Sequence, residues 1–192
     1  FLINIIYLFA PLILHLRVKK NKEHKIRFKE KLGYIEKKRN KGRLIWFHAS
    51  SVGETLSIIP ILEKIEKIRN IKTILVTTNT LSSSKVLLNK NLKKVIHQFL
   101  PIDTNHISNN FLNYWNPTLA VFVESEIWPN FIFNIKKKNI PLILLNGRIT
   151  KKTFTNWIRF PNFAKKIFKK FDLCFVQNQE SKKFLTLLGK KI

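Results

Sequence analysis

Only 11 acidic residues stand against 36 Lys and Arg in this 192-residue chain. Carboxylates beside turns of small residues are therefore the first places to look for proton chemistry. The clearest is Glu54, which closes the run Trp46-Phe47-His48-Ala49-Ser50-Ser51-Val52-Gly53-Glu54-Thr55. Ser50, Ser51 and Gly53 permit close approach of backbone to a ligand, and a carboxylate placed there is suited to take a proton from an attacking hydroxyl. The same residues also spell a helix start, in which Glu54 pairs with Ser51 as a capping box and gains from the helix dipole. Glu124 and Glu126 fall two apart in Glu124-Ser125-Glu126-Ile127-Trp128-Pro129-Asn130, and Asn146-Gly147-Arg148 offers a guanidinium that can grip a phosphate or carboxylate with two hydrogen bonds. Helix-dipole partners and a surface ion pair between Arg148 and either glutamate are the structural alternatives.

These groups need a scaffold, and the apolar pattern after Gly42 supplies one. Short apolar runs at Leu44–His48, Thr73–Thr77, Lys94–Leu100, Thr118–Val123, Leu142–Asn146 and Leu173–Gln177 read as strands. Between and after them, helical patterns run at about Glu54–Arg69, Leu81–Asn89, Asn105–Tyr114, Pro129–Lys138, Thr155–Lys170 and Gln179–Leu188. Continuous apolar strands mark a parallel sheet covered on both faces, so the expected fold class is α/β, a Rossmann-like doubly wound parallel sheet. Ligands in such sheets bind beyond the carboxyl ends of the strands, where Glu54, Glu124 and Arg148 lie. Two further strand exits, Thr77-Thr78-Asn79-Thr80 and Leu100-Pro101-Ile102-Asp103, read as capping sites, with Thr80 ahead of one helix and Asp103 or Thr104 ahead of the next.

Composition narrows the function. With 45% hydrophobic residues the chain folds despite a formal charge of +25, and its single cysteine, Cys174, excludes a disulfide framework and multi-thiolate metal sites and suggests a reducing compartment. The five histidines, His15, His24, His48, His97 and His106, show no metal-binding spacing. There is no dinucleotide fingerprint, no phosphate loop, and no zinc or RNP-type motif, so neither a nucleotide cofactor nor nucleic acid is an expected partner. Only seven of the basic residues are Arg. The excess charge is therefore either solvated lysine surface or an affinity for phosphates and anionic lipid. Five Phe between Phe154 and Phe171 alternate with lysines, as an amphipathic core face or as a membrane-facing or acceptor-binding surface.

The first sixteen residues, Phe1–Leu16, carry no formal charge and run straight into Arg17, Lys19, Lys20, Lys22 and Lys25. That is an anchor pattern, slightly short of the roughly 18–20 residues of a spanning helix, with its basic flank placed in the cytoplasm. A buried core helix is the alternative. Residues 17–43 read as a basic juxtamembrane segment with a short helix ended by Gly33, or as a solvated linker. Phe1 in place of Met, in a chain without methionine, points to a fragment that begins further upstream.

Taken in order, the strand-end motifs from Trp46 to Glu54, Thr77 to Thr80, Pro101 to Asp103, Glu124 to Asn130 and Asn146 to Arg148 closely resemble the amino-terminal half of bacterial Kdo transferases. Those enzymes transfer 3-deoxy-D-manno-octulosonic acid (Kdo) to lipid A precursor. The resemblance extends through Gln177-Asn178 and Leu188-Gly189, nearly the whole chain. It implies half of a GT-B glycosyltransferase: an anchor over 1–16, a juxtamembrane segment over 17–43 and an acceptor-binding domain over 44–192, at the cytoplasmic face of the inner membrane. The domain for the donor CMP-Kdo would be missing, leaving a fragment that is inactive alone. By resemblance, Glu54 is the general base of an inverting transfer and Glu124 a second catalytic acid. Ser50, Ser51, Gly53, Glu126 and Arg148 then contact the acceptor lipid IVA, and no cofactor or metal is expected beyond CMP-Kdo. The rival expectation is a non-catalytic, membrane-anchored domain that binds anionic lipid.

Overall fold

The computed structural model describes residues 2–190, with side chains from residue 8 onward. Phe1 of the expected anchor and the last two residues of the expected domain lie outside the described residues. Six strands, β1 (Arg43–His48), β2 (Ile71–Thr78), β3 (Val95–Phe99), β4 (Leu119–Val123), β5 (Leu142–Gly147) and β6 (Leu173–Val176), form one all-parallel sheet in the order β3-β2-β1-β4-β5-β6. All six expected strands are present, with ends within about three residues of those read from sequence. The central strands β1, β2 and β4 are buried on both sides over most of their length, which is why their sequences are largely apolar, whereas the edge strand β6 leaves Leu173 and Phe175 exposed. Trp46 and Phe122 face one core and Phe47 and Val121 the opposite one. Helices α2 (Val52–Glu66) and α3 (Leu81–Leu88) cover the second core. Helices α4 (Asn105–Trp115), α5 (Pro129–Lys137), α7 (Pro161–Phe168) and α8 (Gln179–Leu187) cover the first.

The strand order fixes where chemistry can occur. The chain leaves β1 towards β3, then returns to lay β4 on the other side of β1. Connections diverge at the carboxyl ends of β1 and β4 and open a crevice between them.

Three expectations change. The helix expected over Thr155–Lys170 is two helices, α6 (Lys151–Ile158) and α7, because Pro161 has no N–H to continue α6 and instead opens α7. Its aromatics divide accordingly. Phe168 and Phe171 are core and Phe154 stacks on Phe184, while Phe160 and Phe163 stay exposed.

The amino-terminal run forms α1 (Leu2–Lys19), continuing past the expected end at Leu16. Ala10 and Leu14 are buried, whereas Leu8, Phe9, Leu12, Ile13 and Leu16 face outward. Among the described residues, no helix is long and apolar enough to cross a membrane.

The basic segment is not a free linker. A 3-10 helix, Arg27–Leu32, ends at Gly33 with φ +98°, and lies against the edge strand β3. Buried Glu30 pairs with Arg27 at 2.7 Å and accepts the Phe99 N–H at 2.7 Å. Glu23 ties Arg17 to Lys31, each at 2.7 Å. An edge strand offers unpaired backbone donors, and here a carboxylate takes one of them.

Candidate active site

β1 delivers Ser50 and Ser51 to the crevice and α2 begins immediately after. Ser51 caps α2, its hydroxyl accepting the Glu54 N–H at 3.3 Å. The carboxylate of Glu54 folds back over the turn, where Oε2 accepts the Ser50 N–H at 2.8 Å and Oε1 the Ser51 hydroxyl at 2.9 Å. The pairing of Glu54 with the Ser51 cap is thus real, though the backbone N–H it takes is that of Ser50, one residue before the cap, and this grip holds the carboxylate at the crevice. Glu54 is 8% exposed. Burial pushes its pKa up, the Ser50 and Ser51 hydrogen bonds pull it back, and the charges of Glu126 and Glu124 push it up again, with a net rise. A carboxyl shifted upward is closer to the proton affinity a base needs at neutral pH. At Gly53, which is exposed, an added Cβ would meet nothing within 4 Å, so the fold itself does not require glycine there.

Across the crevice, the end of β4 delivers Glu124 and Glu126. Glu124 sits at φ +55°, a left-handed backbone rarely adopted by a side-chain-bearing residue, and Asn146 opposite it at φ +53°. Such outliers cluster at sites where the surrounding structure over-determines the chain. Here Glu124 N–H donates to the Leu145 carbonyl, and its own carbonyl accepts from Arg148 N–H. The Arg148 side chain is exposed and makes no ion pair among the described residues, so the alternative reading of a surface pair with Glu124 or Glu126 does not hold.

Glu126 is the more tightly held acid. Its Oε2 takes His48 Nε2 at 2.8 Å and Trp128 Nε1 at 2.8 Å. Burial raises its pKa, but the bonds from His48, Trp128 and the Ser50 hydroxyl, with the attraction of His48, outweigh that and hold it below the ordinary glutamate value. Ser50 therefore stands between the two acids, its N–H on Glu54 and its side chain close enough to Glu126 to favour the ionised carboxylate, while Asn79 Nδ2 donates to the Ser50 hydroxyl at 2.7 Å.

Sequence reasoning passed over four members of this cluster: His48, Thr77, Asn79 and Trp128. The sequence assigns His48 no role beyond its place in the run that ends the first strand and the exclusion of metal spacing. The signal available was its position, a polar residue ending an otherwise apolar strand. Asp103 also behaves differently from its expectation. Thr104 caps α4, while Asp103 reaches across to cap α5, accepting Asn130 N–H at 3.0 Å and Phe131 N–H at 2.8 Å. Beside these residues lies a largely apolar cavity of about 390 Å³ walled by Asn79, Pro101, Ile102, Asp103, Trp128 and Lys31. No cluster of three or more His, Cys, Asp or Glu placed to hold a metal ion occurs among the described residues.

Residues 26–192 match the sequence signature of the 3-deoxy-D-manno-octulosonic-acid transferases (kdotransferases). The chain belongs to the Kdo transferase family. It is 40% identical over 151 residues to the probable mitochondrial 3-deoxy-D-manno-octulosonic acid transferase of Arabidopsis thaliana, covering 77% of this chain and 34% of that protein. The 3-deoxy-D-manno-octulosonic acid transferase of Rickettsia prowazekii is 38% identical over 76% of this chain and 32% of its own length. The Rickettsia bellii enzyme is 36% identical over 92% and 42%. The chain thus spans roughly a third of the length of the relatives it matches. Its Rossmann-like sheet brings Glu54, Glu124 and Glu126 to one crevice.

Proposed function

We propose that this chain is the acceptor-side half of a GT-B glycosyltransferase that moves Kdo from CMP-Kdo to lipid A precursor (lipid IVA), inverting the anomeric centre, with Glu54 as general base. The observation that carries the reading is the Glu54 carboxylate, fixed by Ser50 and Ser51 at the β1–β4 crevice with its proton affinity raised by burial and by two neighbouring acids. In the step proposed, an acceptor hydroxyl oxygen bonds to the anomeric carbon of Kdo, the bond from that carbon to the CMP phosphate breaks, CMP leaves with the electron pair, and the hydroxyl proton passes to Glu54. Glu124 orients the acceptor, Ser51, Gly53 and Glu126 line its approach, and the Arg148 guanidinium takes an acceptor phosphate. No cofactor beyond the donor is invoked.

The placement at the cytoplasmic face of the inner membrane belongs to the same proposal. The outward apolar side of α1 and the lysines and arginines after it suit a surface of lipid and phosphate, whether α1 lies on the membrane or anchors in it. The donor site is assigned to the remaining length that the relatives possess.

The test is CMP release on lipid IVA and CMP-Kdo by the protein carrying this chain together with that remaining length. Acceptor-dependent release that falls by roughly 10²–10⁴-fold in Glu54→Gln supports the base assignment. Release that survives the substitution removes Glu54 from the mechanism. Binding of lipid IVA vesicles with no turnover would favour the non-catalytic lipid-binding alternative.

A further inference from the structure

His48 has no exposed surface, yet both its ring nitrogens are engaged, and they join the core to the crevice. On the core side, Trp46 Nε1 lies 2.9 Å from Thr77 Oγ1, and Thr77 Oγ1 lies 3.0 Å from His48 Nδ1. An indole N–H only donates, so the Thr77 oxygen accepts from Trp46, and its own proton can go to Nδ1 or to the Phe47 carbonyl at 3.4 Å. An ionised carboxylate only accepts, so Nε2, 2.8 Å from Glu126 Oε2, carries a proton. The Thr77 carbonyl, 3.1 Å from Nδ1, would accept if both nitrogens carried protons. In either state Nε2 is the donor to Glu126.

A phenylalanine would fill the same volume without a polar group to satisfy, and leaving a buried polar group unpaired costs about 1–3 kcal/mol. His48 avoids that cost only through this chain of bonds. Its ring packs edge-on against Phe122 at 5.8 Å and Trp128 at 5.9 Å, which fixes the plane in which Nε2 points. Trp128 donates to the same carboxylate oxygen from the other side. Two rigid aromatic donors therefore set the direction of one flexible glutamate.

We propose that His48 is a positioning residue for the transfer. Held by Trp46 and Thr77, it fixes Glu126 beside Glu54 so that the Glu126 carboxylate receives a hydroxyl of the incoming acceptor and aligns the attacking oxygen. The role rests on the transferase reading for its substrate, but the clamp itself does not. The titratable groups facing Glu126 are His48 from β1, Glu54 from α2 and its neighbour Glu124 from the end of β4.

Two substitutions separate positioning from folding. In His48→Asn the side-chain oxygen can still accept from Thr77, but the side chain is too short to reach Glu126. In His48→Gln the amide N–H extends towards the Nε2 position. CMP release is measured in the protein with its remaining length. There, His48→Asn is expected to lower kcat by roughly 10–100-fold with a smaller change in KM, as misplacement of a reacting group does. His48→Gln restores most of that loss. Combined with Glu126→Gln, His48→Asn adds nothing further, because residues acting through one another are not additive. Additive losses, or His48→Gln as slow as His48→Asn, overturn the proposal. Carboxyl 13C NMR of Glu126 in the same protein reads the clamp without turnover: its titration midpoint rises in His48→Asn and falls back in His48→Gln. A midpoint unmoved by His48→Asn overturns the clamp even where activity falls. The expected shift in a protein that transfers no Kdo would sustain the clamp and reject the transferase reading instead.

Discussion

Lowering the pH from 7.5 to 4.5 is expected to remove roughly 3 kcal/mol of folding stability at one residue, His97, because the two pH units below its unfolded pKa each count about 1.4 kcal/mol. His97 is 3% exposed on β3. Arg27 Nη2 lies 2.7 Å from its Nδ1, and a guanidinium has no lone pair to offer, so Nδ1 must accept. The ring proton sits on Nε2 and goes to Thr78 Oγ1 at 2.9 Å. Protonating Nδ1 would set one N–H against another. Burial first, then the charges of Arg27 and Lys37, push the pKa from 6.5 down to about 3. The folded-state value is depressed for a base, so the unfolded chain takes up a proton that the folded chain refuses. The associated stability is intact above pH 6.5 and is lost progressively towards pH 3. Against a typical total of about 5–15 kcal/mol the loss is large. Urea unfolding of wild type and His97→Asn at pH 7.5 and 4.5 isolates it. The asparagine oxygen can take the Arg27 bond but does not titrate, and the carboxylates are common to both proteins. Wild type should lose roughly 3 kcal/mol more than the variant over that interval. Equal losses would refute the account of Arg27 and His97 as a pair that excludes a proton.

Three shorter predictions concern the crevice. Glu54→Gln should unfold at higher urea than wild type at pH 7.5, with the difference vanishing below about pH 4.5. A raised carboxyl pKa means stability present in acid and lost as the group ionises. A variant less stable at both pH values would contradict the burial argument. Gly53→Ala should leave stability unchanged or raise it by up to about 1 kcal/mol, since helix interiors disfavour glycine and the new methyl meets no protein atom. If the bare backbone there serves the acceptor, KM for lipid IVA rises in the same variant, and an unchanged KM would release Gly53 from that role. Asp103→Ala should cost about 2 kcal/mol in urea unfolding, by stranding two α5 N–H groups whose cap comes from another strand exit. A loss below about 0.5 kcal/mol would show that water replaces the carboxylate.

The strands were readable because a parallel strand buried on both faces has no choice but continuous apolar sequence. The crevice was readable because polar residues at strand exits stand out against such runs. The break at Pro161 was also written in the sequence, but the Phe and Lys periodicity runs across it and masks it. What could not be read are bonds between distant segments. Glu30 sits three residues from Arg27, which suggests a helical ion pair, yet its decisive partner is the N–H of Phe99, 69 residues on. Glu126 looks like a helix-entrance acid until β1 places His48 against it, 78 residues earlier in the chain. Asp103 follows the same logic, capping a helix that begins beyond the next strand. Local sequence specifies which groups are polar. The sheet order decides which of them meet.

The distribution of acids carries the functional argument one step further. In a chain of formal charge +25, Glu23, Glu30, Glu66, Asp103 and Asp172 each hold a backbone N–H, a lysine or an arginine, and so have structural partners. Glu54, Glu124 and Glu126 also have partners but differ in place: they crowd one crevice, where the charges of Glu126 and Glu124 raise the proton affinity of Glu54. Three carboxylates would repel a phosphate placed directly among them, so the crevice suits hydroxyls that donate to carboxylates and surrender a proton. Arg148, exposed just beyond β5 with its N–H on the Glu124 carbonyl, provides the opposite environment, drawing anions over about 8 Å at physiological salt. A phosphorylated sugar lipid presents both kinds of group, phosphates to the rim and hydroxyls to the acids. The proposed transfer uses this division, with Glu54 taking the hydroxyl proton and Arg148 meeting a phosphate.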